Sequence, residues 1–392
     1  MPWREVCRME LREQFVGMVL REEASMREVC ESYGISRKTG YKWLERYQEL
    51  GRLGLADQAR ASHEHANAVS EEIERRIIVL RGEHPFWGPR KLKSRLEHLE
   101  PKRVWPAAST IGSILKRHGL VVPRRRQRRC EPYRQPFAGC EQANAVWCAD
   151  FKGWFRTGDG QRCDPFTLSD AYSRYLLRCQ AVTRPDEVSV WPVLVAAFRE
   201  FGLPEAIRTD NGPPFASLAL AGLSKLSVKL LRLGIVPERI APARPDQNGR
   251  HERMHRTLKE ETARPPKGNL RRQQLAFDQF RQIYNQERPH EALKQQTPAQ
   301  HYQASPRPYP LRLPEWEYPD SYAKRQIHHR GFLRFAGREV YLSQSLAGEW
   351  VGLDQLDERH QVIFLGSLPL ATLDSIRGVL LKDGDKKVRG SR

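Results

Sequence analysis

Apolar positions recur at helical spacing in the first fifty residues. Residues 4–20 form the first such stretch, and the capping-box sequence Ser25-Met-Arg-Glu28 begins a second, shorter helix. Gly34 turns the chain, and Ser36 can cap a third helix to about residue 50. Helix, glycine turn, helix at this spacing predicts a helix-turn-helix. Its recognition helix would meet base edges in the major groove through its first residues: Arg37, Lys38, Thr39, Tyr41 and Lys42.

Gly40 lies inside this predicted recognition helix, where glycine is about 1 kcal/mol less favourable than alanine. A helical hairpin with a basic, solvated face therefore stays open as an alternative. A second helical pattern begins at Ser70, and Pro89 and Pro106 are placed to open two further helices, over 89–99 and 106–118. We interpret this stretch as another unit of the helix-turn-helix kind.

From residue 145 the pattern changes to short apolar runs that alternate with a helix. We predict strands over 146–150, 164–169, 175–182 and 206–209, and a helix over 188–201; this alternation indicates an α/β domain. Prolines between 306 and 319 indicate a stiff linker. Short strand-like runs with glycines between them, over 332–335, 339–342, 350–353 and 362–365, then predict a small β-barrel or sandwich.

These patterns divide the 392 residues into seven segments. We predict a helix-turn-helix domain over 1–56, a second helical domain over 70–122, a basic linker over 123–142, an α/β core over 143–303, a proline-rich linker over 304–326, a small β-barrel over 327–375 and a basic tail over 376–392.

The net charge of the chain indicates the kind of partner it binds. The 66 lysines and arginines against 47 aspartates and glutamates give a net charge of +19, which favours nucleic acid as the partner. Anionic membranes are less favoured, because the apolar runs are far shorter than the roughly 20 residues of a spanning helix. Seven cysteines without a C-x-x-C pair suit reduced thiols in the cytoplasm and indicate no cysteine zinc site. The run that includes Arg124, Arg125 and Arg126 either binds phosphate or is a solvated linker.

Three acids stand out by position. Asp150 and Asp210 end predicted strands, and an acid there points into the crevice where α/β sheets place their sites. Asn248-Gly249 turns the chain into a helix that carries Glu252. Taken singly, each acid could be a turn or cap residue. Residues 248, 252, 256 and 259 share one helix face, which places two basic groups beside the acid; these residues are Asn248, Glu252, Arg256 and Lys259. They could clamp DNA phosphate or form a surface charge ladder.

Together these segments resemble the DDE-type integrase-core transposases of bacterial insertion sequences, which share a superfamily with retroviral integrases. The resemblance lies in Trp147-Cys-Ala-Asp150, Thr209-Asp210-Asn-Gly212, Gln247-Asn-Gly-Arg-His-Glu252-Arg, Thr257-Leu-Lys259 and Tyr284-Asn-Gln-Glu-Arg-Pro-His290. It implies an RNase H-like catalytic core, a catalytic and metal-binding triad of Asp150, Asp210 and Glu252, and DNA contacts on the face of Arg256 and Lys259. It also implies a bacterial, nucleoid-associated protein that binds terminal inverted repeats and target DNA, as a homo-oligomer bridging two ends.

Two features depart from the family pattern. Glu252 follows Asp210 by 42 positions, several more than is usual in the family, and we assign the excess to a helical stretch around 218–233. Retroviral integrases also carry an N-terminal His/Cys zinc domain. The absence of C-x-x-C here means that no structural zinc is expected.

The chemistry explains why three carboxylates would converge. Converging acids repel one another unless cations intervene, and Mg²⁺ (or Mn²⁺) takes carboxylate, water and phosphate oxygens. Two such ions about 3.5–4 Å apart can activate the attacking oxygen and stabilise the leaving one. Water would first free a 3′-OH, which would then attack a target strand.

Two alternatives remain. His251-Glu-Arg-Met-His255 matches the H-E-x-x-H pattern of zinc proteases, but no third ligand follows and the two strand-end acids would have no role. The other alternative is a DNA-binding regulator with a non-catalytic α/β domain. Such a regulator needs no triad of acids in family order.

Overall fold

The computed structural model describes residues 7–57, 69–121, 140–217, 220–239 and 249–381, with backbone alone at 249–251. It divides into two compact units, residues 1–69 and residues 70–392. Four residues with predicted DNA contacts, Arg124, Arg125, Arg126 and Asn248, lie outside the described residues.

The first unit contains three helices, α1 (Arg8–Leu20), α2 (Met26–Ser32) and α3 (Arg37–Leu50). Ser25 caps α2 with both bonds of the predicted capping box, and the Ser36 side chain accepts a hydrogen bond from the Thr39 N–H at the start of α3. Gly34 takes a positive φ of 62° at the turn between them, which glycine adopts without steric cost. The helix-turn-helix arrangement is confirmed.

Gly40 has a packing reason for its place inside α3. A Cβ built there would lie 2.6 Å from the Cys30 sulfur and 2.9 Å from the Phe15 ring. The missing side chain therefore lets α3 approach α1 and α2 closely, and Phe15, Cys30 and Trp43 share one buried core. The cost of glycine in a helix is offset by this contact.

The second unit begins with three helices, α4 (Glu71–Glu83), α5 (Pro89–Leu99) and α6 (Ala108–Arg117). Pro89 opens α5 at its first position, as predicted, whereas α6 begins two residues after Pro106. Amphipathic spacing drives their packing, because Ile77, Leu92 and Ile111 are fully buried between them.

The central sheet consists of β1 (Val146–Phe151), β2 (Phe155–Arg156), β3 (Arg162–Asp170), β4 (Leu176–Val182), β5 (Ala206–Thr209) and β6 (Val236–Arg239). Its order is β2-β3-β1-β5-β6, with β4 paired to the other side of β3. Pairs among β1 to β4 are antiparallel, while β1–β5 and β5–β6 are parallel. The predicted strands are confirmed, and β1 ends one residue later than expected.

Helices cover the central sheet. Phe166, Leu168 and Leu177 pack with α7 (Glu187–Phe201) and α8 (Lys225–Arg232). Cys163 and Leu176 pack with α9 (Gly249–Thr262) and α10 (Leu270–Gln286). The extra length between Asp210 and Glu252 contains a short 3₁₀ turn and α8, which agrees with the predicted helical stretch.

The C-terminal strands do not form the small β-barrel that the sequence predicted. An open sheet has the order β13-β12-β11-β10-β7, and β8 and β9 form a separate hairpin. The strands are β7 (Ala323–Gln326), β8 (Phe332–Phe335), β9 (Arg338–Tyr341), β10 (Trp350–Gln355), β11 (His360–Leu365), β12 (Leu368–Asp374) and β13 (Val379–Leu380). No pairing closes the sheet among the described residues. The physical reason is that its apolar face is covered by Val228 of α8 and by Leu223, just before α8, and not by the sheet itself.

The segment before this sheet lies on the central core. The Arg307 guanidinium donates hydrogen bonds to the carbonyls of Pro204 and Leu233, at 2.8 and 3.0 Å, and Tyr309 packs against the main core cluster. The proline-rich segment is therefore held against the surface of the central core. Across the ranges that the structure describes, no helix combines the length and apolar character needed to cross a membrane.

Candidate active site

Two of the three predicted acids lie on adjacent strands. Asp150 is the fifth residue of β1, and Asp210 directly follows β5. The parallel register pairs Cys148 of β1 with Arg208 of β5. Asp150 and Asp210 each lie two residues beyond this pair. Neighbouring strands lie about 4.8 Å apart, which places the two backbones side by side at the same edge of the sheet.

Asp210 is held by its own turn. Its Oδ1 accepts a hydrogen bond from the Gly212 N–H at 3.1 Å, and Thr209 before it is buried. A Cβ on Gly212 would approach the Asp210 carboxylate to 3.3 Å, so glycine leaves this carboxylate accessible from the turn. The predicted Asn-Gly turn thus orients the acid at the strand end.

Glu252 meets Asp150 at one cleft. It lies in the first turn of α9, with an exposed side chain, and lines a cleft with Asp150. A third acid, Glu260, also lines the cleft, together with four basic side chains: Lys152, Arg256, Lys259 and Arg264. Arg256 and Lys259 therefore share the face of Glu252, as the helical spacing predicted. Asp210 is not among the residues that line this cleft.

His255 links α9 to the strand that carries Asp150. Its side chain is buried, its Nε2 lies 2.7 Å from the Thr167 hydroxyl, and its Nδ1 lies 3.7 Å from Asp150 Oδ2. The Thr167 hydroxyl donates its single proton to the Asp150 carbonyl oxygen at 3.1 Å. The Thr167 hydroxyl therefore bridges the His255 ring and the backbone of Asp150. This contact fixes the backbone of Asp150 and the orientation of α9 together.

The same contact argues against the zinc-protease alternative. The Nε2 of His255 already has a hydrogen-bond partner, because it lies 2.7 Å from the Thr167 hydroxyl, and the ring is buried. Within the part of the chain that the structure describes, no three His, Cys, Asp or Glu side chains are grouped so as to hold a metal ion. This holds for the three predicted acids as well, and the His251 side chain lies outside the described residues.

The donor set nevertheless fits a hard cation. Asp150 and Glu252 offer carboxylate oxygens in one cleft, and Asp210 offers a third from the neighbouring strand end. Carboxylate oxygens are the protein ligands that Mg²⁺ and Mn²⁺ favour, whereas imidazole suits zinc.

A buried ion pair holds the helix that carries Glu252. The Arg288 guanidinium donates to Glu261 Oε1 at 2.9 Å and to the Thr257 hydroxyl at 3.3 Å. Burial raises the pKa of Glu261, and the charge of Arg288 opposes that rise. Asn285, in the same motif, bonds the backbone N–H and carbonyl of Leu176 in β4, at 2.8 and 3.0 Å. The segment from Tyr284 to His290 therefore holds α9 and α10 against the sheet.

In the first unit, the predicted recognition residues lie at the start of α3. Arg37, Lys38, Tyr41 and Lys42 are exposed, and Tyr41 is 57% exposed. Thr39 is half-buried, and its hydroxyl lies 2.9 Å from that of Ser36. Thr39 thus supports the helix start, while the other four side chains face solvent.

Several residues of the cleft were not predicted from sequence. Lys152 and Arg264 line it, and Thr167 contacts both Asp150 and His255. The signal for Lys152 was its position two residues beyond Asp150. Thr167 carried no local signal, because its role depends on the pairing of β1 with β3.

Comparison with known proteins agrees with this architecture. Two family models described as "Integrase core domain" match residues 141–245 and 233–298. Models described as "Helix-turn-helix domain" and "Homeodomain-like domain" match residues 11–63 and 39–115. The matched ranges cover the central sheet and both sets of N-terminal helices.

Two of the relatives come from bacterial insertion elements. An uncharacterized 31.7 kDa protein of insertion element IS407 from Burkholderia multivorans is 27% identical over 260 residues, which cover 64% of this chain and 86% of that protein. An uncharacterized 39.2 kDa protein of insertion element IS476 from Xanthomonas euvesicatoria is 26% identical over 253 residues, 63% of this chain and 70% of that protein.

Among solved structures, the magnesium-bound catalytic core of HTLV-2 integrase covers 41% of this chain and 99% of its own, at 17% identity and a TM-score of 0.33. A TM-score this low carries no weight for the fold. The integrase-core models and the insertion-element relatives support an integrase-superfamily transposase of the bacterial insertion-sequence type.

Proposed function

We propose that this transposase binds the terminal inverted repeats of a mobile element, cuts the DNA to free 3′-OH ends and joins those ends to target DNA. The observation that carries the proposal is the cleft that Asp150 and Glu252 line together with a further acid, Glu260, and four basic side chains. Asp210, on the adjacent parallel strand, supplies the third acid. A cleft with both signs of charge suits a reacting phosphate, since carboxylates alone would repel it.

Asp150, Asp210 and Glu252 would hold divalent metal, with two Mg²⁺ or Mn²⁺ ions expected. When bound, these ions supply Lewis-acid stabilisation of the attacking and leaving oxygens. In the first reaction a water oxygen attacks phosphorus and the bond to the 3′ oxygen breaks, which leaves a 3′-OH. In the second, that 3′-OH attacks a phosphorus of the target strand, and the bond from this phosphorus to the target's 3′ oxygen breaks, which leaves a 3′-OH on the target.

The chain's own side chains position the DNA. Arg256 and Lys259 extend from the same face of α9 as Glu252, and Lys152 and Arg264 complete the basic rim. Cations at these positions would hold non-bridging phosphate oxygens by charge-assisted hydrogen bonds. His255 and Thr167 keep Asp150 in register with α9, which fixes the distance between the two acids.

Joining two element ends requires that they be brought together. We therefore propose that the active form is a homo-oligomer, each copy holding one end. The exposed residues of α3, together with Asn248 and the arginines at 124–126, would add DNA contacts. The helix-turn-helix unit would select the repeat, and the core would hold phosphate without regard to sequence.

Nicking of the element ends tests this function. Purified protein is incubated with the DNA that flanks its gene, with Mg²⁺ and without it, and new 3′-OH ends are mapped. We expect nicks at the repeat boundary only when Mg²⁺ or Mn²⁺ is present. Sequence-specific binding without any nick would instead favour the regulator alternative.

The two histidines give a control for the metal. We expect His251→Ala to keep nicking activity. His255→Ala should lower it by about 10- to 100-fold, as for residues that orient a metal ligand. A zinc chelator should leave nicking unchanged. Loss of all activity in both variants, together with loss of bound zinc, would contradict the proposal and support the protease alternative.

A further inference from the structure

An exposed tryptophan follows the strand that carries Asp150. Trp154 lies between β1 and β2, four residues beyond Asp150, and is 55% exposed. Trp87, Trp105 and Trp147, by contrast, are at least nine-tenths buried. A large aromatic side chain left in water next to a cleft is a common feature of binding surfaces.

Two arginines flank this ring. The guanidinium carbons of Arg162 and Arg156 lie 5.1 and 5.8 Å from the centre of the Trp154 ring. Arg162 also pairs with Asp164 at 2.6 Å, yet 45% of its side chain stays exposed. The exposed Arg156 donates to the Gly160 carbonyl at 2.8 Å. The patch of Trp154, Arg156 and Arg162 therefore combines a stacking face with two cations.

The backbone holds this patch in place. At the hairpin tip, the N–H groups of Gly158 and Asp159 donate to the carbonyls of Lys267 and Gly268, both at 2.9 Å. Phe155, next to Trp154, packs against the core cluster formed with α9 and α10. A rigid aromatic loses little conformational entropy when it binds, which makes it an efficient contact.

The distance to Asp150 limits what Trp154 can reach. Four residues of extended chain span at most about 14 Å, and successive phosphates of one DNA strand are about 3.4 Å apart along the helix axis. A phosphate at the acids therefore places Trp154 within about four nucleotides of the reacting bond. Bases at a DNA end open most easily, and a base must leave the duplex stack before it can stack on protein.

We propose that Trp154 is a stacking platform for an unpaired base within about four nucleotides of the cleaved phosphate, with Arg156 and Arg162 binding the adjacent backbone. This inference rests on the proposed function, because it takes the reacting phosphate to lie at Asp150 and Glu252. It assigns the hairpin a role in holding an opened DNA end. A purely structural tryptophan, which stacks only with its two arginines, is the alternative.

Photocrosslinking tests the contact without requiring catalysis. Duplexes of the flanking DNA carry 5-iodouracil at each outermost position in turn, the full-length protein is bound without divalent metal, and crosslinked peptides are identified by mass spectrometry. We expect a crosslink at Trp154 from one of these positions. Crosslinks confined to peptides outside 152–162, or none at all, would overturn the inference.

Binding to opened and paired ends supplies the second readout. Wild-type protein should bind a duplex with mismatched terminal bases more tightly than a paired one. Trp154→Ala should lose this preference and weaken binding to the mismatched end by about 5- to 100-fold, the range for one base–aromatic stack. Trp154→Phe should keep most of the preference. Equal binding by wild type and Trp154→Ala, with thermal unfolding unchanged, would overturn the inference.

Trp350 is a matched control, since it is 50% exposed and lies in the C-terminal sheet. Trp350→Ala should leave both the crosslink and the preference for opened ends in place; an equal loss in both variants would contradict a specific role for Trp154.

Nicking separates this inference from the proposed function. Wild-type protein that crosslinks but never nicks with Mg²⁺ would sink the proposed function alone. Normal nicking by Trp154→Ala, without a crosslink in wild type, would sink this inference alone.

Discussion

The atoms around a helical glycine decide whether replacing it by alanine raises or lowers the stability of this protein. Gly17 in α1 and Gly40 in α3 both lie inside helices of the first unit. A Cβ at Gly17 would meet only the flexible end of Arg21, at 3.6 Å, whereas one at Gly40 would overlap the buried Cys30 sulfur. The same substitution is therefore expected to act in opposite directions at the two positions.

Gly40→Ala should destabilise the first unit by about 1–3 kcal/mol, the usual cost of forcing an extra carbon into a packed core. Gly17→Ala should stabilise it by up to about 1 kcal/mol, because alanine favours the helix. Hydrogen exchange of peptides from residues 8–55 in the full-length protein measures both effects. Faster exchange in the Gly17 variant, or unchanged exchange in the Gly40 variant, would contradict this packing account.

Residues also differ in how much of their role the sequence predicts. Asp150, Asp210 and Glu252 were located from sequence because local signals, a strand end or an Asn-Gly turn, accompany each acid. The burial of His255 was not predicted, since its partner Thr167 lies 88 positions away. Nor was the exposure of Trp154, because an apolar run gives no information on which of its members faces solvent.

Elements of this molecule are held together by polar contacts as well as by apolar packing. Helix α5 meets the end of α10 through ion pairs between Arg95 and Glu287 and between Arg90 and Glu291, each at 2.8 Å. These partners are about 200 positions apart, so no sequence pattern links them. The open C-terminal sheet has a similar origin, because its cover is α8 from the central domain.

Lys91 makes this junction sensitive to pH. Burial, together with the nearby charge of Arg288, lowers the pKa of Lys91 from 10.5 to about 7. The folded protein therefore binds fewer protons than the unfolded chain between those values, and its stability should rise with pH across that window. Below about pH 7 Lys91 is charged in the folded protein, and its burial then lowers the free energy of unfolding the most.

Lys91→Met should accordingly stabilise the protein near pH 7, and the gain should shrink towards pH 10. We expect at least about 1.4 kcal/mol at pH 7, the equivalent of one unit of pKa. Thermal unfolding at the two pH values measures the gain, with Lys93→Met on the same helix as the control. A gain that is the same at both pH values, or as large for Lys93→Met, would refute this assignment.

At the scale of the whole molecule, the two compact units suggest that one unit recognises the DNA sequence and the other cleaves DNA. The exposed side chains of α3 belong to residues 1–69, and the cleft belongs to residues 70–392. The second helical set does not stand alone, since α5 is paired with the core. Recognition and phosphate binding should therefore be separable by single substitutions.

Tyr41→Ala should reduce the preference for the terminal repeat over random DNA, with the salt dependence of binding unchanged. Lys259→Ala should weaken binding to both DNAs equally and reduce the log–log salt slope by about 0.9, the value for one phosphate contact. Binding titrations over a range of salt concentrations distinguish the two outcomes. If Lys259→Ala changed the preference and Tyr41→Ala changed the slope, the assigned roles would be reversed.

The central claim is that three acids on two strand ends and one helix act as a single metal site. Single-turnover nicking of the flanking DNA end in Mg²⁺, by wild type and by Asp150→Asn, Asp210→Asn and Glu252→Gln, tests it most directly. We expect nicking by wild type, no detectable nicking by any of the three variants, and unchanged binding of the DNA end by all four proteins. Nicking at the wild-type rate by any one of the three variants would contradict the claim.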